Sequence, residues 1–208
     1  AVGLAGGVFA NVRINQKIFE HQNVKNIFVQ PAMGDAGLAL GAAIKVSLDN
    51  DADAKNFCFS HTFHGPSYNS RLNNLINSNY KDLNFIKMVE PAKQVAKLLS
   101  ENKIIGFWNG DMEWGPRALG SRSILLNTFD KNVNSTLNDR LNRTEFMPFA
   151  PAVIEYMSKI YFPKYEDGVH AADYMTITYD VDPEYHDLLQ AVVHVDGTAR
   201  PQIVKKEV

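Results

Sequence analysis

The chain is poor in several things at once. Its 208 residues include a single cysteine, Cys58, so no internal disulfide can form. One thiol cannot build a structural zinc site without several histidines beside it, and the pattern suits a reducing compartment. No apolar run approaches the ~20 residues that a membrane-spanning helix needs, and the first residues lack the charged-then-apolar order of a secretory leader. The expectation is a cytoplasmic protein with no membrane partner. Net charge is scarce too: 21 basic and 23 acidic residues, spread along the chain, leave −2. Such a surface has no general field for a polyanion, which removes nucleic acid as a default partner. Any anion must be gripped locally.

What the chain does have is apolar mass, at 45% of residues, enough for one large domain or two small ones. It also has one unusual stretch. Residues 113–123 read Glu-Trp-Gly-Pro-Arg-Ala-Leu-Gly-Ser-Arg-Ser. Arg117 and Arg122 each carry a rigid fork of donors that matches a phosphate or carboxylate bidentately. Gly115, Pro116 and Gly120 supply the sharp folding that would bring the forks together, and Ser121 and Ser123 add hydroxyls beside backbone N–H groups. The alternative is a solvated turn whose arginines pair with nearby carboxylates.

Along the chain, residues 1–11 give an apolar strand, the Gly6-Gly7 turn and a helical periodicity through Val8, Val12 and Ile14. That order lets backbone amides approach a phosphate, and it equally suits a tight packing turn. A strand is expected over 24–29, then the Gly34-Asp35-Ala36-Gly37 loop, then a small-residue helix from Leu38 to about Leu48. Asp35 fits either a helix cap or a metal ligand. The acidic segment 49–56 reads as a linker between domains. His61 and His64 are expected as hydrogen-bonded loop residues, with a metal pair as the alternative. A helix is expected over 70–77 and a strand over 83–89. Pro91 starts a helix with Val95, Leu98 and Leu99 on one face. Strands over 104–108 and 124–126 flank the arginine loop, a polar helix covers 132–141, and further strands are expected over 174–179 and 191–195. The last of these runs into His194-Val195-Asp196-Gly197-Thr198-Ala199-Arg200, which again sets an arginine and a hydroxyl at a glycine turn. The chain starts inside an apolar element and stops at Val208 within another, as an internal fragment would.

These motifs, in this order and with Pro148-Phe149-Ala150-Pro151 between them, resemble the O-carbamoyltransferase family of nodulation and antibiotic-tailoring enzymes. The resemblance implies an α/β fold in two parts. Residues 1–50 would be the tail of an actin-like ATPase domain, and 51–208 a YrdC-like domain with a twisted mixed sheet, truncated at its C-terminus. It further implies a transferase that makes carbamoyl-adenylate from carbamoyl phosphate and ATP, then passes the carbamoyl group to a hydroxyl of a sugar or natural product. Arg117, Arg122 and Arg200 would surround the phosphate as catalytic groups, with Arg143, Ser121, Ser123 and Thr198 binding substrate. Gly6, Gly7, Asn11 and Gly34 would lie against the nucleotide. Asp35 would be a ligand of a divalent metal, Fe or Mg, whose histidine ligands lie upstream of this sequence. The family's lysine before Glu145 is absent, the nearest residues being Asn142-Arg143-Thr144, and its Arg-Pro-Phe-Ala-Pro run begins here with Met147. A homodimer is a candidate assembly. The competing readings are a non-catalytic RNA-binding module of YrdC-like shape and a regulatory domain that keeps the fold without turnover. Fixed cations placed where phosphates meet suit the first chemistry without any nucleophilic side chain.

Overall fold

A computed structural model describes residues 1–50, 59–68, 71–72, 83–130, 132–142, 149–167 and 169–206. Their elements begin with β1 (Val2–Leu4), α1 (Val12–Phe19), β2 (Ile27–Val29), α2 (Leu38–Asn50), α3 (Pro91–Ser100), β3 (Ile105–Trp108) and β4 (Arg122–Leu125). They continue with α4 (Val133–Arg140), β5 (Ala152–Ile154), α5 (Glu155–Tyr161), α6 (His170–Asp173), β6 (Tyr179–Asp180), β7 (Thr198–Ala199) and β8 (Gln202–Val204). The architecture is mixed α/β, and among the described residues the strands pair as four two-stranded ladders. The chain divides into two compact units. The first holds Ala1–Ser60, Gly115–Arg117 and Thr128–Val208; the second holds His61–Trp114 and Ala118–Asn127.

In the first unit β1 runs parallel to β2, with Val2 opposite Ile27 and Leu4 opposite Val29. A parallel pair needs a crossover, and α1 supplies it. Asn11 starts that helix by accepting hydrogen bonds from the Arg13 and Ile14 amides on its side chain. β5 pairs in parallel with β8, and β6 pairs antiparallel with β7. Leu4, Ile27 and Val29 share one buried core with Val153, Phe162, Ile177, Tyr179, Val192 and Ile203. Each large apolar side chain so buried contributes roughly 1.5–3 kcal/mol, so this core joins sequence segments that lie far apart.

The inner face of α1 is unusual because two of its three buried residues, Asn15 and Gln16, are polar. Both are tied to the segment leading into β6. The Asn15 side-chain amide donates to the Phe9 and Thr176 carbonyls, at 2.8 Å each. Gln16 accepts from the Thr178 hydroxyl at 2.7 Å and donates to Asp180 at 3.0 Å. Satisfied in this way, the buried amides fix the helix on its strand rather than weaken the core.

In the second unit α3 begins on Pro91, the first-turn position where a missing N–H costs nothing. β3 and β4 are antiparallel, with Phe107 opposite Ser123 and Trp108 opposite Arg122. The connection between them is clipped to a neighbouring segment. Phe63 bridges Glu113, the Gly65 amide donates to the Met112 carbonyl, and the Trp114 amide donates to the Thr62 carbonyl.

Several sequence expectations shift. Residues 83–89 form no strand; they run irregular and exposed, with Ile86 and Val89 largely in solvent, so the apolar run there reflects no ladder partner. Residues 191–195 form turns, not a strand. Ala191 and Val192 are apolar because they are buried under the core. Over 174–179 only Tyr179 enters a ladder. The helix expected through Val8 to Ile14 splits into a 3-10 turn, Gly7–Ala10, and α1. The other expected helices and strands lie close to where the patterns put them, apart from the one over 70–77, most of which falls outside the described residues. The linker 49–56 and Cys58 fall largely or wholly outside them as well. No described helix is long and apolar enough to cross a membrane.

Replacing Asn15 by Ala should cost about 1–3 kcal/mol for each carbonyl it leaves unpaired. Urea denaturation of the full-length protein measures this, and an unchanged midpoint would show that the Asn15 bonds contribute nothing.

Candidate anion site

The arginine loop is shared between the units, Gly115–Arg117 with the first and the residues from Ala118 onward with the second. Within the second unit its conformation is set by a carboxylate that sequence reasoning passed over. Glu113, buried, places one oxygen, Oε1, against three backbone amides: Leu119 at 2.8 Å, Ser121 at 2.6 Å and Arg122 at 3.0 Å. Burial alone would raise this acid, but the hydrogen bonds from the Arg122, Leu119 and Ser121 amides outweigh it and hold the carboxyl below its ordinary 4.5. The Gly120 amide donates to the Ser123 hydroxyl at 2.9 Å. Gly120, at φ 112°, occupies backbone space that a side chain would strain. The amides of Leu119, Gly120, Ser121 and Arg122 are therefore engaged internally and are not free donors for a ligand, unlike the exposed N–H groups expected beside Ser121. Ser121 is buried and Ser123 half-buried.

Arg122 has its own seat. Its guanidinium lies 3.7 Å from the centre of the Trp108 ring and donates to the carbonyls of Asn109, Gly110 and Ser121. Trp108 and Trp114, the only tryptophans in the chain, thus flank the loop on either side of Glu113.

Within the first unit Arg117 is held differently. Gly115, at φ 119°, brings the loop against the Pro31 carbonyl so closely that a Cβ there would sit 3.1 Å from its oxygen. Arg117 then reaches inward, donating to the Ala10 carbonyl at 3.2 Å and to the Met33 sulfur at 3.6 Å. Its Nε is buried with no hydrogen-bond partner, and no carboxylate pairs with Arg117 among the described residues. Burial, and secondly the charge of Arg200, pull its guanidinium down to about 10. The structure thus brings two like charges, Arg117 and Arg200, within electrostatic reach of each other.

Arg200 directly follows β7, the strand that begins with Thr198. The Thr198 hydroxyl donates to Asp196 at 2.7 Å, His194 Nδ1 lies 3.1 Å from the same hydroxyl, and Arg13 approaches Asp196 at 3.4 Å. Burial, then Arg200 and Arg13, hold His194 below its ordinary value against the opposing pull of Asp196. No local pattern marks Arg13 as a site residue, since only the core packing carries α1 to this turn; His194 opens the motif seen in the sequence, but nothing there gives its ring a role.

The remaining expected residues occupy these places. Gly6, at φ 118°, donates its amide to the Met33 carbonyl at 2.6 Å, and neither it nor Gly7 has anything within 4 Å of where a Cβ would stand. Gly34 precedes a 3-10 turn, Asp35–Gly37, that runs into α2, and it too faces open space. Asn11 spends its side chain capping α1. Asp35 is exposed and is the first residue of the 3-10 turn, whose N-cap is Gly34. Among the described residues no three His, Cys, Asp or Glu side chains cluster as a metal site requires, so Asp35 stands there without such a set of partners. Arg143 lies outside the described residues.

Changing Glu113 to Gln should destabilise the protein near neutrality by roughly 1–3 kcal/mol, because a charged acceptor of three amides becomes neutral. With a folded value below 4.5, the wild-type carboxylate stabilises the protein fully above the unfolded value, and that part is lost as pH falls through the folded one. Denaturation midpoints followed into acid should fall more steeply for wild type than for the Gln variant; parallel curves would contradict the assignment.

Two family profiles match the chain: carbamoyltransferase N-terminus over residues 1–44 and carbamoyltransferase C-terminus over 96–208. Among similar proteins, MJ1058 of Methanocaldococcus jannaschii, itself uncharacterized, is 34% identical over 99% of this chain and 34% of its own length. Nodulation protein NolO of Bradyrhizobium diazoefficiens is 34% identical over 98% of the chain and 38% of its own length. Nodulation protein NolNO of Sinorhizobium fredii is 32% identical over 100% of the chain and 31% of its own length. The chain therefore spans about a third of the length of these curated relatives. With the second profile covering more than half of its residues, the chain belongs to the carbamoyltransferase family.

Proposed function

We propose that this chain is part of an ATP-dependent O-carbamoyltransferase and that Arg117 and Arg200 hold the phosphate of carbamoyl phosphate. The observation that carries this reading is Arg117 itself: a half-buried guanidinium within electrostatic reach of Arg200, its Nε buried without a hydrogen-bond partner and with no carboxylate partner among the described residues. A guanidinium with a buried, unpartnered nitrogen and no neighbouring carboxylate is costly unless an anion joins it. Membership of the carbamoyltransferase family supports carbamoyl phosphate as that anion. Thr198, anchored to Asp196, keeps the turn that carries Arg200 in place. Arg117 is aimed by the Gly115 turn and by its bond to the Ala10 carbonyl, so both cations are positioned before the ligand arrives.

In the complete protein the carbamoyl group would be activated as carbamoyl-adenylate and delivered to a hydroxyl of a sugar or natural-product acceptor. ATP, when bound, would supply the adenylyl group. At Gly7 and Gly34 the space where a Cβ would stand is open, which is compatible with close approach of a nucleotide. Residues 1–50 and 51–208 would belong to an actin-like and a YrdC-like domain, respectively.

Isothermal titration of the full-length protein with carbamoyl phosphate tests the pair. Arg117→Ala and Arg200→Ala should each weaken binding by roughly 10- to 100-fold, the weight of one charge-assisted bond. Wild-type affinity in both variants would overturn the assignment.

A further inference from the structure

The turn that delivers Arg200 also holds a hydrogen-bond chain whose direction can be worked out. Asp196 is acceptor-only when ionised, and it takes both the backbone amide and the hydroxyl of Thr198, the latter at 2.7 Å. Thr198 has one hydroxyl proton, and it is committed to Asp196. Its oxygen can therefore only accept from His194 Nδ1, 3.1 Å away. The proton of a neutral His194 is thereby fixed on Nδ1, and the lone pair is left on Nε2. Nε2 has no hydrogen-bond partner among the described residues. The charged groups acting on the ring are Asp196, Arg200 and Arg13. Burial and the two arginines together oppose a second proton, so the ring stays an acceptor at neutral pH. A lone acceptor near Arg200 is an odd choice for gripping a phosphate, which has only acceptors to offer.

Carbamoyl phosphate, however, has more than its phosphate. Its –NH2 group is a donor, and a site that holds it must offer an acceptor next to the cations. Acetyl phosphate has the same shape with a methyl group in that place, and it gains nothing from an acceptor. We infer that His194 is the residue that reads the carbamoyl group: its Nε2 accepts a hydrogen bond from the substrate –NH2, while Asp196 and Thr198 act as positioning residues that fix the tautomer. This inference rests on the phosphate assignment made above for Arg117 and Arg200.

The test compares carbamoyl phosphate and acetyl phosphate by isothermal titration against the full-length protein. Because both ligands carry the same phosphate, the ratio of their affinities cancels the arginine contribution. Wild type should prefer carbamoyl phosphate by about tenfold, the worth of one buried donor–acceptor pair. His194→Phe should bring the ratio to about one with acetyl phosphate affinity unchanged, and His194→Gln, which keeps a carbonyl acceptor, should retain part of the preference. In wild type the preference should also fade as pH drops from about 8 to about 5.5 and the ring takes its second proton. The same ratio in wild type and His194→Phe overturns the inference. Should His194→Phe fail to fold, a wild-type ratio that does not change with pH overturns it as well. Binding of neither phosphate by wild type would instead overturn the assignment of Arg117 and Arg200, and with it the role given to His194.

Discussion

Two buried amide side chains on one turn of α1 hold the first unit in register. Asn15 and Gln16 sit where a helix would ordinarily place Leu or Val, and they reach across to Thr176, Thr178 and Asp180. Apolar residues in their place would let the helix slide or rotate, because hydrophobic contact has no direction. Directed bonds do not allow that. With α1 fixed, Arg13 faces Asp180 and Asp196, and the Ala10 carbonyl at the end of the preceding turn is set to receive Arg117. The cation pair and the histidine turn follow from this docking.

Charge is handled in opposite ways in the two units. In the second unit a carboxylate folds inward and collects the loop's own amides, so the loop is rigid without a ligand. Arg122 is likewise absorbed by Trp108 and three carbonyls. In the first unit Arg117 keeps a buried Nε without a hydrogen-bond partner, within electrostatic reach of Arg200.

Much of this was legible from sequence where the signal is local. Pro91 and the apolar spacing after it marked α3, the small-residue run marked α2, and the flanks of the arginine loop read as strands because β3 and β4 are neighbours in sequence. Signals failed where burial came from distant partners. Residues 191–195 look like a strand because Ala191 and Val192 must be apolar to fill the core, yet a ladder needs a facing strand, and they have turns instead. Residues 83–89 carry apolar side chains without a pairing partner. Glu113 was visible in the motif, but its role depends on amides that a folded loop alone brings round it. Arg13 and His194 meet only because β1, β2, β6 and β8 share a core that no single stretch announces.

The stacking of Arg122 on Trp108 has a practical side. Both indoles of the chain flank the same loop, one beneath a guanidinium and the other bonded through its amide to Thr62. Light emitted on excitation of tryptophan therefore reports this loop alone, unmixed with signal from the rest of the molecule. The protein carries its own optical gauge of the segment between β3 and β4, with no label attached.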